Sequence, residues 1–408
     1  MKHTTEKGQT IILIAVALLG LVTMAALIVD GGYMYLNRRT AQTAADSGAL
    51  AGAFERCANH GSTAEIEAAI TEYVQVENNA VLENWFINAD NDVEVLVSLT
   101  RSTFFARVFG STMGTVQASA AAGCFSPRTA QGDVMPIAFS CKPPVGGSGS
   151  GEDCVLQKIP FEVFDEIRVS FDFENYLLDE GDNATAASYQ NDLLDTMGEG
   201  KMIYVVMDSE DFSYDECIEE GLGGSITCDF NGDGIYDIGT NADRGWLQLE
   251  GGNGADEIND IMERGTLNPI DINTWYFGEP GVQTSTYFVT IDYRLGEYAL
   301  VPVFDAYCSQ INADNAAEFA ALCPEYDSGD GIQSFFNGDR DYYRVVAFAP
   351  FYVTCVSSGK SSSCPGKDFA GLKHNVGTIE GYFIDGYTVG GKVEAEYEVG
   401  AFVITLTQ

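Results

Sequence analysis

A long apolar stretch near the start of the chain carries the first prediction. From Ile11 to Val29 there are 19 residues without one charged side chain. A helix of that length, rising about 1.5 Å per residue, would be roughly 28 Å long, close to the thickness of the hydrocarbon core of a bilayer. A cleaved signal peptide has a shorter apolar region of about 7–15 residues and a small-residue cleavage site. The pattern therefore favours a retained transmembrane helix, with a cleaved signal peptide or a buried core helix as the alternatives.

Helical periodicity continues beyond the apolar stretch. After Asp30-Gly31-Gly32, small and apolar residues recur close to a 3.6-residue spacing, which is typical of one packed helical face. These positions are Tyr33, Leu36, Ala41, Ala44, Ala45, Ala49, Leu50 and Ala53. Residues 1–53 are therefore predicted to form a membrane anchor and a stem helix in one piece.

Shorter patterns predict a small α+β module at residues 54–125. Residues 63–76 have helical spacing, and 93–99 alternate as a strand with which 115–120 could pair. A helix with short strands of this kind makes a small α+β module that ends near Cys124.

Strand patterns dominate residues 126–408, which we predict to form a larger, acidic, β-rich domain. The predicted strands are 159–163, 168–173, 202–207, 286–293, 298–304, 343–355, 376–385 and 401–406. The predicted helices between them are 187–197, 256–264 and 313–322. The predicted fold class is thus α+β: a long N-terminal transmembrane and stem helix, a small α+β module, and a larger β-rich domain.

The charge balance excludes one class of partner. The net charge is −39, and 57 of the 60 acidic residues lie beyond residue 53. Nucleic acid is not expected to bind, because such binding depends on cationic side chains that neutralise phosphates. Two interpretations of the acidity stay open: simple solubility, or divalent-cation binding and a high-salt habitat.

All ten cysteines lie beyond the apolar stretch, and none forms a Cys-x-x-Cys pair. An even number without that motif favours disulfides in an oxidising compartment over a zinc site, with free buried thiols as the alternative. Sequence does not fix the connectivity, but pairing of neighbours gives Cys57–Cys124, Cys141–Cys154, Cys217–Cys228, Cys308–Cys323 and Cys355–Cys364. Basic residues flank the apolar stretch equally, so the positive-inside rule gives no orientation. The cysteines and the acidity instead predict a single-pass cell-membrane protein with an extracytoplasmic C-terminal bulk.

One acidic loop has the spacing of a calcium site. Oxygen-bearing residues alternate, with glycine at the sixth position for a sharp turn, as in calcium loops. The predicted ligands are Asp229, Asn231, Asp233, Ile235 through its carbonyl, and Asp237. Thr240 stands at the twelfth position in place of glutamate, so the loop is not a full EF-hand. We expect a structural Ca²⁺ ion there, the alternative being a solvated turn.

Signals of catalysis are weak. The chain has three histidines, and it contains neither a His-Glu-x-x-His nor a Gly-x-Ser-x-Gly motif. The sequence therefore predicts a protein that is not an enzyme, and an anchored hydrolase is the remote alternative.

The first part of the chain resembles a known family. Gly8-Gln9 opens the apolar stretch and Val29-Asp30-Gly31-Gly32 closes it; the motif continues with Arg38-Arg39, Gln42, Ala45-Asp46 and Ala49-Leu50-Ala51-Gly52-Ala53. These residues resemble the TadE/TadG-like proteins of tight-adherence (Flp) pilus assembly, and the resemblance extends through 104–110 and 115–120, over about residues 1–125. It implies a component of an envelope-spanning pilus machine. The pilins of such systems carry glutamate five residues after the processing-site glycine, whereas Leu13 holds that place here, which favours an uncleaved anchor.

Two functional hypotheses follow. The first is a membrane-anchored, extracytoplasmic component of Tad/Flp-type pilus assembly or of surface adhesion, which contacts the lipid bilayer through Ile11 to Val29 and binds other pilus subunits. The second is a structural subunit of an extracellular filament, packed through its N-terminal helix, whose small residues would allow close approach.

Overall fold

The computed structural model describes residues 9–140, 158–171, 204–209, 238–240, 245–250, 254–279, 284–309, 341–358, 377–389 and 401–407. The chain forms two compact units. The smaller unit comprises Met1–Cys124 together with Ile404–Gln408, and the larger unit comprises Phe125–Val403. The polypeptide thus leaves the smaller unit after Cys124 and returns to it with its last residues.

The smaller unit is a long helix packed on an antiparallel sheet. Its elements are helix α1 (Gln9–Cys57), helix α2 (Thr63–Thr71) with a following π-helical turn (Glu72–Glu77), strands β1 (Val81–Ile87) and β2 (Val93–Ser102), a 3₁₀ turn (Ala106–Phe109) and strand β3 (Met113–Phe125). Strand β2 pairs with β1 on one side and with β3 on the other. The helix predicted at 63–76 and the strand pair predicted at 93–99 and 115–120 are confirmed.

Small side chains let α1 lie close to the sheet. The buried residues of its second half are Ala41, Ala44, Ala45, Ala49 and Ala53, which confirms the predicted stem. They pack against Val93, Val95 and Val97 of β2 and against Ile66 and Ile70 of α2. A Cβ at Gly48 would lie 2.6 Å from Val74 Cγ2, and one at Gly52 would lie 2.8 Å from Ile70 Cγ1. Larger side chains at these two glycines would overpack the contact.

The larger unit is built on a broad mixed sheet. Its elements are strands β4 (Thr129–Gly132), β5 (Ile137–Ser140) and β6 (Ile159–Pro160), helix α3 (Phe161–Phe171), strands β7 (Tyr204–Ser209), β8 (Ile238–Thr240) and β9 (Gly245–Gln248), helix α4 (Ala255–Arg264), strands β10 (Thr266–Asp271) and β11 (Thr274–Gly278), helix α5 (Thr284–Tyr293), and strands β12 (Tyr298–Ser309), β13 (Asp341–Ser358), β14 (Gly377–Asp385), β15 (Tyr387–Thr388) and β16 (Ala401–Leu406). The last part of β16, from Ile404, belongs to the smaller unit. The main sheet runs β11-β9-β5-β12-β13-β14-β7-β8, and β6 pairs with β14. The long antiparallel pair β12–β13 forms its centre.

Six of the predicted elements in this region are confirmed, one of them the strand predicted at 202–207, which overlaps β7. The strands predicted at 298–304, 343–355, 376–385 and 401–406 are β12, β13, β14 and β16, and the helix predicted at 256–264 is α4. The helices predicted at 187–197 and 313–322 lie outside the described residues. The α+β fold class, with its long N-terminal helix followed by a strand-rich region, is confirmed.

Two predicted strands are wrong. Residues 168–171 belong to α3 and residues 286–293 belong to α5. The β-branched and aromatic residues of α5 favour a strand locally, but packing selects the helix. Thr286, Tyr287, Thr290 and Arg294 are buried, and their spacing fits one helical face. The strand predicted at 159–163 is also too long, because α3 begins at Phe161.

A buried arginine closes the C-terminal end of α4. The Arg294 guanidinium donates to the carbonyl oxygen of Met262 at 2.8 Å and to that of Ile261 at 3.2 Å. These carbonyls belong to the last turn of the helix, where intrahelical donors run out. The Gly265 N–H still donates to the Ile261 carbonyl oxygen at 2.7 Å, so it is the Met262 carbonyl for which Arg294 supplies the missing donor. Burial lowers the pKa of Arg294, but an arginine in a protein keeps its charge at neutral pH. Arg294 therefore joins α4 to the end of α5 through charge-assisted hydrogen bonds.

Glu250 should make the larger unit sensitive to acid. Burial alone would raise the pKa of Glu250, but hydrogen bonds from Arg264 and from the backbone N–H groups of Leu267 and Asn268 outweigh it and hold the pKa below the ordinary value. The stabilisation is complete above the pKa of the unfolded chain and is lost as the pH falls through the lower pKa of the folded state. Glu250→Gln is expected to cost about 1–2 kcal/mol at pH 7 and little at pH 3.

The check is a series of melting temperatures from pH 7 to pH 3 for the wild type and for Glu250→Gln. Glu297→Gln, which alters an exposed glutamate of the same unit, is the matched control. A gap between Glu250→Gln and the wild type that stays constant over this range would contradict the assignment.

Candidate functional site

Helix α1 has two halves with opposite surroundings. In the first half the large apolar side chains from Ile11 to Val29 are exposed, Leu19 by 72% and Leu27 by 75%. In the second half the small residues are buried in the core of the smaller unit. The helix is long and apolar enough to cross a membrane, and only 6% of the residues in its most apolar 18-residue segment are buried. An exposed apolar surface of this extent marks a site of contact with lipid or with other proteins.

The two halves meet at Asp30, where a loop from the sheet contacts the helix. This loop joins β2 to β3, and we call residues 103–112 the aromatic loop. The Asp30 carboxylate accepts hydrogen bonds from the backbone N–H groups of Phe104 at 2.8 Å, Phe105 at 3.0 Å and Ala106 at 2.6 Å. These amides open the 3₁₀ turn Ala106–Phe109, so Asp30 satisfies donors that a short helix leaves without partners. The carboxylate thus acts as an N-cap supplied from another segment.

Further bonds fix the shape of the aromatic loop. The Thr103 hydroxyl donates to the carbonyl oxygen of Ser111 at 2.5 Å, and the Thr103 N–H donates to that of Thr112 at 3.1 Å. Arg107 Nε donates back to the Thr103 carbonyl oxygen at 3.0 Å. Gly110 ends the turn with a φ of 95°, a conformation that favours glycine. The loop is therefore held at both of its ends and at the helix.

This arrangement leaves two phenylalanines exposed. Phe104 is 54% exposed and Phe105 is 41% exposed. The Phe104 ring lies edge-on to that of Tyr33 on α1, with 5.0 Å between the ring centroids. The aromatic loop therefore presents apolar side chains at the outer end of the apolar half of α1.

A pocket of about 380 Å³ separates the loop from the helix. Its helical lining is Thr23, Ala26, Leu27, Asp30, Gly31 and Met34, and its lining from the sheet side is Thr103, Ala106, Ser111 and Gly114. Most of these residues are apolar or small. Because Thr23 and Leu27 belong to the apolar stretch, the pocket continues the exposed apolar surface of α1.

Asp30→Ala is expected to loosen the aromatic loop while the smaller unit stays folded. Loss of a capping side chain costs about 1 kcal/mol, which corresponds to about a fivefold rise in the open population of the loop. Trypsin cleavage after Arg107, measured on the folded full-length chain, should accelerate by about that factor. Asp90→Ala, which removes another exposed carboxylate of the same unit, is the control. An unchanged cleavage rate in Asp30→Ala would contradict the capping role.

The predicted calcium ligands cannot be placed. Asp229, Asn231, Asp233, Ile235 and Asp237 lie outside the described residues. Within the described part of the chain there is no group of three or more His, Cys, Asp or Glu side chains that could hold a metal ion.

One of the predicted disulfides is confirmed. Cys57, the last residue of α1, is bonded to Cys124 near the end of β3, with 6.4 Å between their Cα atoms. Cys355 is also disulfide-bonded, but its predicted partner Cys364 lies outside the described residues. The pairs Cys141–Cys154, Cys217–Cys228, Cys308–Cys323 and Cys355–Cys364 therefore stay predictions.

Sequence reasoning found both halves of the site but not their contact. The resemblance pointed to Asp30 and to the stretch 104–110 separately. A single sequence does not show a contact between residues that lie more than 70 positions apart. The available signal was the single acidic residue at the outer end of an apolar helix, where an unpaired carboxylate would be costly.

An exposed apolar helix that continues as the packed stem of a small α+β unit fits a membrane-anchored protein with one span. Residues 8–56 match the family described as "Putative Flp pilus-assembly TadE/G-like". The resemblance is therefore confirmed for the anchor and stem, while its extension to residue 125 stays a prediction. Neither the curated proteins nor the solved structures contain a match to this chain.

Proposed function

We propose that this chain is a membrane-anchored, non-enzymatic component of a Tad/Flp-type pilus assembly system. The observation that carries the proposal is the division of α1 into an exposed apolar half and a packed half. The exposed half, Ile11 to Val29, matches the thickness of a bilayer, and the packed half builds the core of the smaller unit. The match of residues 8–56 to the TadE/G-like family supports the link to pilus assembly.

The orientation that we propose places both folded units outside the cytoplasm. Disulfides form and persist in oxidising compartments, and the Cys57–Cys124 bond lies within the smaller unit, at the end of the packed half of α1. The strong acidity beyond residue 53 agrees with an exported surface rather than with binding to nucleic acid. In this position the larger unit would engage other pilus subunits.

We further propose a structural Ca²⁺ ion in the loop from Asp229 to Asp237. The alternation of oxygen-bearing residues with a glycine supports it. Because a ligand that binds only the folded state stabilises it by mass action, removal of calcium with a chelator is expected to lower the melting temperature, and Asp233→Ala should abolish that response. A melting temperature that the chelator does not change would contradict an occupied stabilising site.

Cell fractionation tests the proposed role against the alternative of a filament subunit. An assembly component is expected to stay with the inner membrane when surface filaments are sheared off. Enrichment of the chain in the sheared filaments would favour packing of α1 against copies of itself, for which the exposed apolar half of the helix is equally suited.

The mass of the mature N-terminus gives an independent answer. A protein that begins at Met1 supports a fixed anchor, whereas one that begins at Gln9 would indicate pilin-like export. A protein that begins after Ala26 would have lost most of the apolar stretch, and the anchoring role would be wrong.

A further inference from the structure

The position of the aromatic loop along α1 determines its surroundings once the helix crosses a bilayer. The loop is hydrogen-bonded to Asp30, which directly follows the last residue of the apolar stretch. Its residues Ala106 and Ser111 line the same pocket as Thr23 and Leu27. Thr23 precedes Val29 by six residues, or about 9 Å of helix. The loop therefore reaches back along a part of the helix that lies at the depth of lipid acyl chains.

The exposed side chains of the loop fit that depth. Phe104 and Phe105 are exposed large apolar residues, and Tyr33 lies against Phe104. Tyrosine is enriched where the hydrocarbon core of a membrane meets the headgroups, and phenylalanine is among the residues that segments lying in this interface bury. The apolar lining of the pocket continues the apolar surface of the helix. The two surfaces are therefore suited to the same apolar environment.

The charges around the loop also fit a lipid surface. In a chain with a net charge of −39, no acidic residue occurs from 31 to 45 or from 95 to 125. The basic residues of these stretches are Arg38, Arg39, Arg101 and Arg107. Asp30, the single acidic residue between Lys7 and Ala45, is engaged by three backbone N–H groups. Segments that carry arginine and no acidic residue are complementary to lipid phosphate groups.

We infer that the aromatic loop is a second membrane contact, in which Phe104 and Phe105 enter the headgroup–acyl boundary of the leaflet from which α1 emerges. Acyl chain segments of lipids in that leaflet fill the pocket between the loop and the helix. Two contacts on one rigid unit fix the tilt and rotation of α1, which a single helix leaves free. The inference rests on the proposed membrane anchor.

The test is quenching of tryptophan fluorescence by brominated lipids, with the full-length chain in liposomes. Lipids with bromine near the headgroup report shallow positions, and lipids with bromine near the chain end report deep ones. Three variants are compared with the unsubstituted chain and its three native tryptophans: Phe104→Trp for the loop, Leu19→Trp for the middle of the apolar stretch, and Phe86→Trp as the matched control. Phe86 is 43% exposed and belongs to β1 of the same unit.

The inference expects Phe104→Trp to lose emission with shallow bromines, Leu19→Trp to lose emission with deep bromines, and Phe86→Trp to lose none. Phe105→Trp repeats the measurement in case the contact with Tyr33 is disturbed. If Leu19→Trp is quenched while both loop variants behave like Phe86→Trp, the second contact is wrong and the anchor stands. If Leu19→Trp is not quenched, the anchor itself is wrong and the inference falls with it.

Discussion

Replacement of Cys57 and Cys124 together by alanine is expected to lower the free energy of unfolding of the smaller unit by about 4 kcal/mol. The disulfide joins residues 67 positions apart, and in the chain-entropy treatment a loop of that size gives roughly this value. The closed segment contains α2, β1 and β2, so the bond constrains nearly all of the unit that packs against α1. Loss of this much stability is a large part of the total stability of a typical domain.

Hydrogen exchange of the full-length chain in detergent measures this effect. Amides in the centre of β2 should exchange much faster in the double variant, whereas amides of β13 in the larger unit serve as the internal control and should keep their rates. Equal acceleration in both units would show a global effect, and no acceleration in β2 would show that the disulfide does not stabilise the unit.

Arg294→Met is expected to cost the larger unit about 2 kcal/mol. Methionine can fill much of the space of the arginine stem, but it leaves the carbonyl group of Met262 without its donor and the carbonyl group of Ile261 with only the bond from the Gly265 N–H. Each buried polar group without a partner costs about 1–3 kcal/mol. The ion pair with Asp133 contributes little, because its atoms are 3.4 Å apart and Asp133 is 79% exposed.

Chemical denaturation, followed at the larger unit, measures the cost of Arg294→Met. Arg168→Met is the matched control, because it removes an arginine that pairs with Asp165 over one turn of helix α3 and is 37% exposed. That control should cost about 1 kcal/mol or less. Similar costs for the two variants would contradict the role of Arg294 as the cap of α4.

The elements that were predicted correctly are those in which the periodicity of apolar residues in the sequence matches the pattern of burial in the structure. Helix α1 and strands β12, β13 and β14 have long, uninterrupted patterns, and the structure confirms them. Strand β1 was not predicted, because its side chains are mostly exposed or half-buried and therefore show no clean alternation. In α5 the local preference for a strand loses to the packing of one helical face in the core. The Asp165–Arg168 pair, three residues apart, was a helical signal within a stretch that was otherwise interpreted as strand.

The parts of the site could be predicted from the sequence, but the contact between them could not. The apolar stretch, the Asp30-Gly31-Gly32 motif and the stretch 104–110 can all be found in the sequence. Their contact depends on how β2 and β3 pack against α1, and a non-local contact of that kind leaves no periodic signal. The structure thereby brings the apolar stretch and a sheet loop together into one exposed apolar surface, with Asp30 as the residue that connects them.

Whether α1 stays in the mature protein and crosses a membrane is tested most directly by alkaline carbonate extraction of membranes from cells that make the full-length chain, followed by intact mass measurement. We predict that the protein stays in the membrane pellet and that its mass includes residues 11–29. Release into the carbonate supernatant, or a mass that lacks these residues, would contradict the anchoring role.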